Sequence, residues 1–260
     1  MANGTGEAPD DWDSPPLQRD PSPRYQAQTG WLWWHAVLYA AATLFIAMAA
    51  AQFALAALDG AGHVAPEWQF LTALGLSQLV SIAVIWWGAG MSHVPRENVL
   101  ALQAPVQGKR AYVLGYLAML GLFGALSAVT WAIDPKRVMD DLTVYAGLIR
   151  SEAWWLAVLV IVVGAPVMEE LMFRGFLFPA LAKGPFGLIG ATVTTSAAWS
   201  ALHAGYSVMG LIEVFAVGLY FAFLLVRTGS LRVPMFCHGA YNLTVLALLL
   251  LVDNSATAPG

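Results

Sequence analysis

The sequence predicts an all-α fold, a polytopic membrane helix bundle with about seven transmembrane helices. The composition is 59% hydrophobic and only 11% charged, with a mean hydropathy of +0.66, outside the range of ordinary soluble domains. Apolar runs of spanning length recur along the chain, and they do not alternate polar with apolar residues, which excludes a β-barrel. The net charge of −4 offers no basic surface to nucleic acid. The single cysteine, Cys237, excludes an internal disulfide and a Cys-rich metal knuckle and reads as a packing residue.

Residues 1–30 are rich in Pro, Asp, Ser and Gln, include Pro15, Pro16, Pro21 and Pro23, and are expected to form a disordered head. No short apolar stretch with a small-residue cleavage site precedes Trp31, so the first long run should remain as a helix. Apolar runs follow near 31–58, 67–90, 111–133, 153–182, 187–203, 209–227 and 232–252, giving a membrane bundle over 31–252 and a short loose tail over 253–260. The segment Pro95–Gln107 is too polar to cross and should lie along the interface, and Asp134–Glu152 reads as a charged loop. Trp31, Trp33, Trp34, Trp86, Trp87, Trp154 and Trp155 cluster near run ends, as interfacial anchors do. With the head in the cytoplasm, the inside segments hold Arg19, Arg24, Arg96, Lys109, Arg110, Lys183, Arg227 and Arg232. The outside segments hold Lys136, Arg137 and Arg150, and this asymmetry favours a cytoplasmic N-terminus.

Ionisable groups inside a span cost several kcal/mol unless paired or solvated, so they mark function by default. Three places qualify: Glu169, Glu170 and Arg174 in GAPVMEELMFRG; His203 in SAAWSALH; and His238 with Asn242 in PMFCHGAYN. Glu170 and Arg174 are i and i+4 with the acid first, the better ion-pair orientation. Glu169 lies about 100° around the helix, free to face a cavity and act as a general base. Pro166 removes a backbone N–H and is expected to distort the helix beside them. His238 and Asn242 are i and i+4 on one face of the last span and offer ring and amide donors to one point, as an oxyanion in amide hydrolysis needs. His203 would share a water with Glu169. Taken singly, each group could be an interhelical lock or a hydrogen-bonded strut; together they point to a site. Glu213 reads as interfacial or supporting, and Gln52, Ser77, Gln78 and Ser81 as interhelical hydrogen bonds.

The three motifs, in order, resemble those of the CPBP family, the CAAX prenyl protease-like intramembrane glutamic endopeptidases and their bacterial relatives. The counterparts are Glu169-Glu170-x-x-x-Arg174, Trp199-x-x-x-His203 and His238-x-x-x-Asn242, over about residues 150–250. Trp199 stands where the family usually has Phe. The resemblance implies an intramembrane peptidase in which Glu169 and His203 activate water, His238 and Asn242 steady the oxyanion, and Glu170 and Arg174 support the site. It implies no cofactor, a membrane-lipid environment, and a protein or peptide substrate with a hydrophobic or lipidated C-terminal region. The Ala-rich chain is compatible with a bacterial inner membrane. A zinc-dependent version would use Glu169, His203 and His238 as ligands. From other classes come a non-enzymatic immunity, scaffold or regulatory protein of the same fold, and a transporter with a proton relay.

Overall fold

The computed structural model describes residues 25–256. Among these, every regular element is a helix: α1 (Trp33–Gly60), α2 (Pro66–Gly90), the single turn α3 (Arg96–Val99), α4 (Lys109–Ile133), α5 (Pro135–Arg150), α6 (Trp154–Lys183), α7 (Gly187–Ala201), α8 (Val208–Thr228) and α9 (Arg232–Ala256). Six are long and apolar enough to cross a membrane: α1, α2, α4, α6, α8 and the Arg232–Leu251 part of α9. The remaining apolar run, α7, has 15 residues and spans about 22 Å at the helical rise of 1.5 Å, short of a hydrocarbon layer of about 30 Å. The chain is a multi-pass integral membrane protein.

The bundle is apolar outside and carries small or polar side chains inside, as lipid-solvated helices must. Ala36, Ala40, Thr43, Ala47 and Ala54 form the buried stripe of α1, while Phe45, Ile46 and Phe53 face outward. Trp33, Trp34, Trp86, Trp87, Trp154 and Trp155 are exposed at helix ends, where anchors belong. The buried Gln78 side chain of α2 reaches α6: its Oε1 would lie 2.1 Å from a Cβ at Gly164, so any larger residue there would have to displace it. Ser77 instead turns its hydroxyl back to the Leu74 carbonyl of its own helix.

Residues 1–24 of the head and 257–260 of the tail lie outside the described residues. At Tyr25 the chain is already docked, with its ring edge-on to Phe178 at 5.5 Å and its N–H donating to the Val226 carbonyl. Lys183 Nζ donates to the Thr29 carbonyl at 2.7 Å. The Asp134–Glu152 segment, expected as a loop, is mostly the amphipathic helix α5. Its Ala146, Leu148 and Ile149 are buried against a cluster that includes Leu71, Val160, Ile161, Leu246 and Leu249. Four charges among its first seven residues hide this apolar face.

Helix α6 departs from α geometry in two places, Leu159–Gly164 and Leu171–Leu177, where it widens to π-helical turns. Pro166 supplies no N–H to the Val162 carbonyl, so the ladder must change register around it. Gly239 of α9 packs on this irregularity; a Cβ there would lie 2.7 Å from the Val162 oxygen. That close approach brings the His238–Asn242 face of α9 onto the middle of α6.

Candidate active site

Glu170 and Arg174 are fully buried, and Arg174 Nη1 donates to Glu170 Oε1 at 3.1 Å. The guanidinium also donates from Nη2 to the Gly218 carbonyl at 3.1 Å and lies 4.7 Å from the Trp199 ring and 5.6 Å from the Phe221 ring. Glycine at 218 is what allows this: a Cβ there would meet Ser196 Cβ at 2.9 Å and Arg174 Nη2 at 3.1 Å. A buried guanidinium needs an anion, and here a carboxylate, a carbonyl and two aromatic faces surround it, although Arg174 Nε and Glu170 Oε2 have no hydrogen-bond partner among the described residues.

His238 of α9 bridges the two acids. Its Nδ1 lies 3.2 Å from Glu170 Oε1, and its Nε2 faces Glu169 Oε2 at 3.9 Å. The ring stacks on Phe221 at 4.8 Å with planes 25° apart, which fixes its tilt. Glu169 retains 13% side-chain exposure, against none for Glu170, and its Oε2 accepts the Trp199 indole N–H at 2.5 Å. The two adjacent glutamates therefore differ: one is enclosed by a cation and an imidazole, the other is partly open and held by a single neutral donor. That the Trp199 indole N–H reaches Glu169 was not foreseen from the sequence, where only the tryptophan in place of the usual Phe hints at it.

The structure brings Glu169, Glu170, Arg174 and His238 into direct contact and places His203 one layer out. His203 Nδ1 donates to the Trp199 carbonyl at 3.2 Å, and its ring packs edge-on against Trp199 at 5.2 Å and Tyr206 at 5.5 Å. Among the described residues it makes no hydrogen bond to Glu169 or His238. Asn242 Nδ2 donates to the Ile161 carbonyl at 2.9 Å, in the first π-helical stretch of α6, so at least one of its two amide hydrogens ties helices together. Glu213 lies on another seam, where Thr130 Oγ1 of α4 donates to its Oε1 at 2.6 Å. Among the described residues no three His, Cys, Asp or Glu side chains are grouped to hold a metal ion, the set Glu169, His203 and His238 included.

Sequence reasoning passed over three further residues beside this site: Asp141 and Tyr145 of α5, and Tyr206 in the turn after α7. Burial pushes the titration of both phenols up, and the charge of Glu169 adds to it. The GYS that follows His203 by two residues was the available signal.

Residues 151–244 match the model of the Rce1-like family, described as type II CAAX prenyl endopeptidases. Comparisons with curated proteins and with solved structures match nothing to this chain. All seven named residues of the three motifs fall inside the matched segment, so the likeness to the Rce1-like family covers the helices from α6 into α9.

Proposed function

We propose that the chain is an intramembrane glutamic peptidase that hydrolyses a peptide bond near the C-terminus of a membrane-associated protein or peptide, with Glu169 as general base. The observation that supports this reading is the unequal use of two neighbouring acids across one imidazole. Glu170 is neutralised by Arg174 and accepts His238 Nδ1–H, whereas Glu169 stays partly open on the Nε2 side of the same ring.

In the proposed reaction Glu169 takes a proton from water as the water oxygen bonds to the scissile carbonyl carbon, and His203 Nε2, left unprotonated by its Nδ1–H bond to Trp199, orients that water. Negative charge moves onto the carbonyl oxygen. With Nδ1–H committed to Glu170, His238 donates from Nε2 in its doubly protonated form, and the charges of the two carboxylates, the guanidinium and the imidazolium sum to zero before the proton moves. Asn242 supplies its second amide hydrogen to the same oxygen. The C–N bond then breaks, and Glu169 passes its proton to the leaving amine. Glu170 and Arg174 hold the imidazole and take no part in proton transfer.

The test reconstitutes the full chain in proteoliposomes with a prenylated peptide ending in Cys-aliphatic-aliphatic-X and its unprenylated counterpart, and follows loss of C-terminal residues by mass spectrometry. Membrane proteomics of cells producing wild type or Glu169→Gln runs in parallel and seeks C-terminal fragments present only with wild type. Cleavage abolished by Glu169→Gln, in a protein that still accumulates, supports the reading. If no processing event in either system depends on Glu169, a scaffold or regulatory role replaces it. The same proteomics locates the membrane of residence, proposed as a bacterial inner membrane with a cytoplasmic N-terminus.

A further inference from the structure

We propose that Asp141 and Tyr145, both on α5, are positioning residues of the active site that hold the turn carrying His203. The inference rests on the peptidase reading above and extends the site to an element outside the matched family segment.

Asp141 and Tyr145 are i and i+4 and share one face of α5. Asp141 Oδ1 accepts the Ser207 backbone N–H and Oδ2 accepts the Ser207 hydroxyl, both at 2.7 Å. Ser207 is itself the N-cap of α8, its Oγ accepting Gly210 N–H at 3.1 Å. One turn along α5, Tyr145 accepts the Tyr206 hydroxyl at 2.8 Å. Residues 206 and 207 are thus gripped at two adjacent points by side chains from a different helix.

What they hold matters because of where the turn leads. Tyr206 packs on the His203 ring, His203 donates to the Trp199 carbonyl, and the Trp199 indole donates to Glu169. The contacts run unbroken from Tyr145 to the proposed base. Within the turn itself the bonds among the described residues are few, such as His203 N–H to Ser200 O and Tyr206 N–H to His203 O, and segments with few internal bonds open at low free-energy cost. Helix α5 has the footing to act as a brace: Ala146, Leu148 and Ile149 are buried, and Arg150 Nη2 donates to the Leu249 carbonyl of α9 at 2.8 Å. The apolar half of α5 therefore fixes the helix to the bundle, and its polar half fixes the catalytic turn to α5.

The experiment measures kcat and KM of the full chain in proteoliposomes on the prenylated CAAX peptide. The variants are Asp141→Ala, Asp141→Asn and Tyr145→Phe, each alone and combined with His203→Ala, with amide hydrogen exchange followed over residues 203–210. A displacement of about 1 Å in a reacting group costs on the order of 100-fold. Asp141→Ala should therefore lower kcat by roughly 10- to 100-fold with KM nearly unchanged. Asp141→Asn keeps an acceptor oxygen for Ser207 and should recover part of the loss. In the His203→Ala background none of the three should lower the rate further, because their effect passes through that ring, and exchange over 203–210 should rise in Asp141→Ala. Losses that multiply in full with His203→Ala, or unchanged exchange, overturn the inference. A wild type with no Glu169-dependent cleavage of either peptide or of any cellular protein overturns the peptidase reading and the catalytic role of Asp141 and Tyr145 with it, whereas unchanged exchange overturns their hold on the turn alone.

Discussion

Replacing each of the two adjacent glutamates with glutamine should separate stability from catalysis. Glu170 is fully buried and supplies the one carboxylate oxygen that meets both Arg174 Nη1 and His238 Nδ1. Glu170→Gln keeps an acceptor there but removes the charge, leaving a buried guanidinium with only neutral oxygen partners, the new amide and the Gly218 carbonyl, and two ring faces. Breaking a buried ion pair from one side typically costs about 3–5 kcal/mol. At about 2–4 °C per kcal/mol, a loss on the order of 10 °C in Tm follows. Glu169→Gln keeps an oxygen for the Trp199 indole at a partly open position, so its Tm should change by less than about 3 °C, in line with a neutral hydrogen bond of about 1 kcal/mol or less. Peptidase activity should vanish in Glu169→Gln. The assay is thermal unfolding of purified protein in one detergent, with activity measured on the same samples. The double variant Glu170→Gln/Arg174→Met, which removes the stranded cation, should regain most of the lost Tm. Equal Tm losses in the two single glutamine variants, or a Glu170→Gln protein as stable as wild type, would refute the division of labour between these acids.

Gly218→Ala places a methyl group 2.9 Å from Ser196 Cβ and 3.1 Å from Arg174 Nη2, and should destabilise by about 1–3 kcal/mol in the same unfolding assay. Asn242→Ala should lower Tm as well as activity, because it strands the Ile161 carbonyl at about 1–3 kcal/mol; an unchanged Tm would mean that the amide serves only the substrate. The raised phenol pKa values of Tyr145 and Tyr206 give an alkaline limb. Both are neutral in folded and unfolded chains below about pH 10, so their contribution is complete there. It declines as pH rises past that point, where the unfolded chain ionises first, and Tyr145→Phe should flatten the loss of stability seen between pH 9 and 11, on the order of one unit either side of the free phenol value.

The spans were legible because lipid solvation imposes a length and a composition that a single chain displays directly. The Glu170–Arg174 pair was equally legible, since helical spacing alone brings i and i+4 together. What sequence could not carry was register. Each π-helical stretch of α6 contains a carbonyl that a following proline leaves without its N–H, Val162 before Pro166 and Gly175 before Pro179, and the local effect depends on how neighbouring helices respond; the Ile161 carbonyl finds its partner in Asn242, 81 residues away. Asn242 was accordingly read as a donor to substrate alone. Helix α5 was missed because Lys136, Arg137, Asp140 and Asp141 crowd its start, and its apolar face becomes meaningful only beside α9 and the first turns of α6. The hydrogen bond from Trp199 to Glu169 is a relation between two helices through residues 30 apart, which no local pattern encodes.

The 15 residues of α7 have a consequence for the surrounding lipid. A helix about 8 Å shorter than the hydrocarbon thickness draws the two leaflets together beside it, or pulls headgroups and their water down to its end. The turn bearing His203 follows directly on α7, so in a bilayer such a dimple would form over the groups proposed to react. On the peptidase reading, a peptide tail lying flat among the headgroups would then have only a short distance to descend to Glu169, and the local thinning of the membrane would be its entrance.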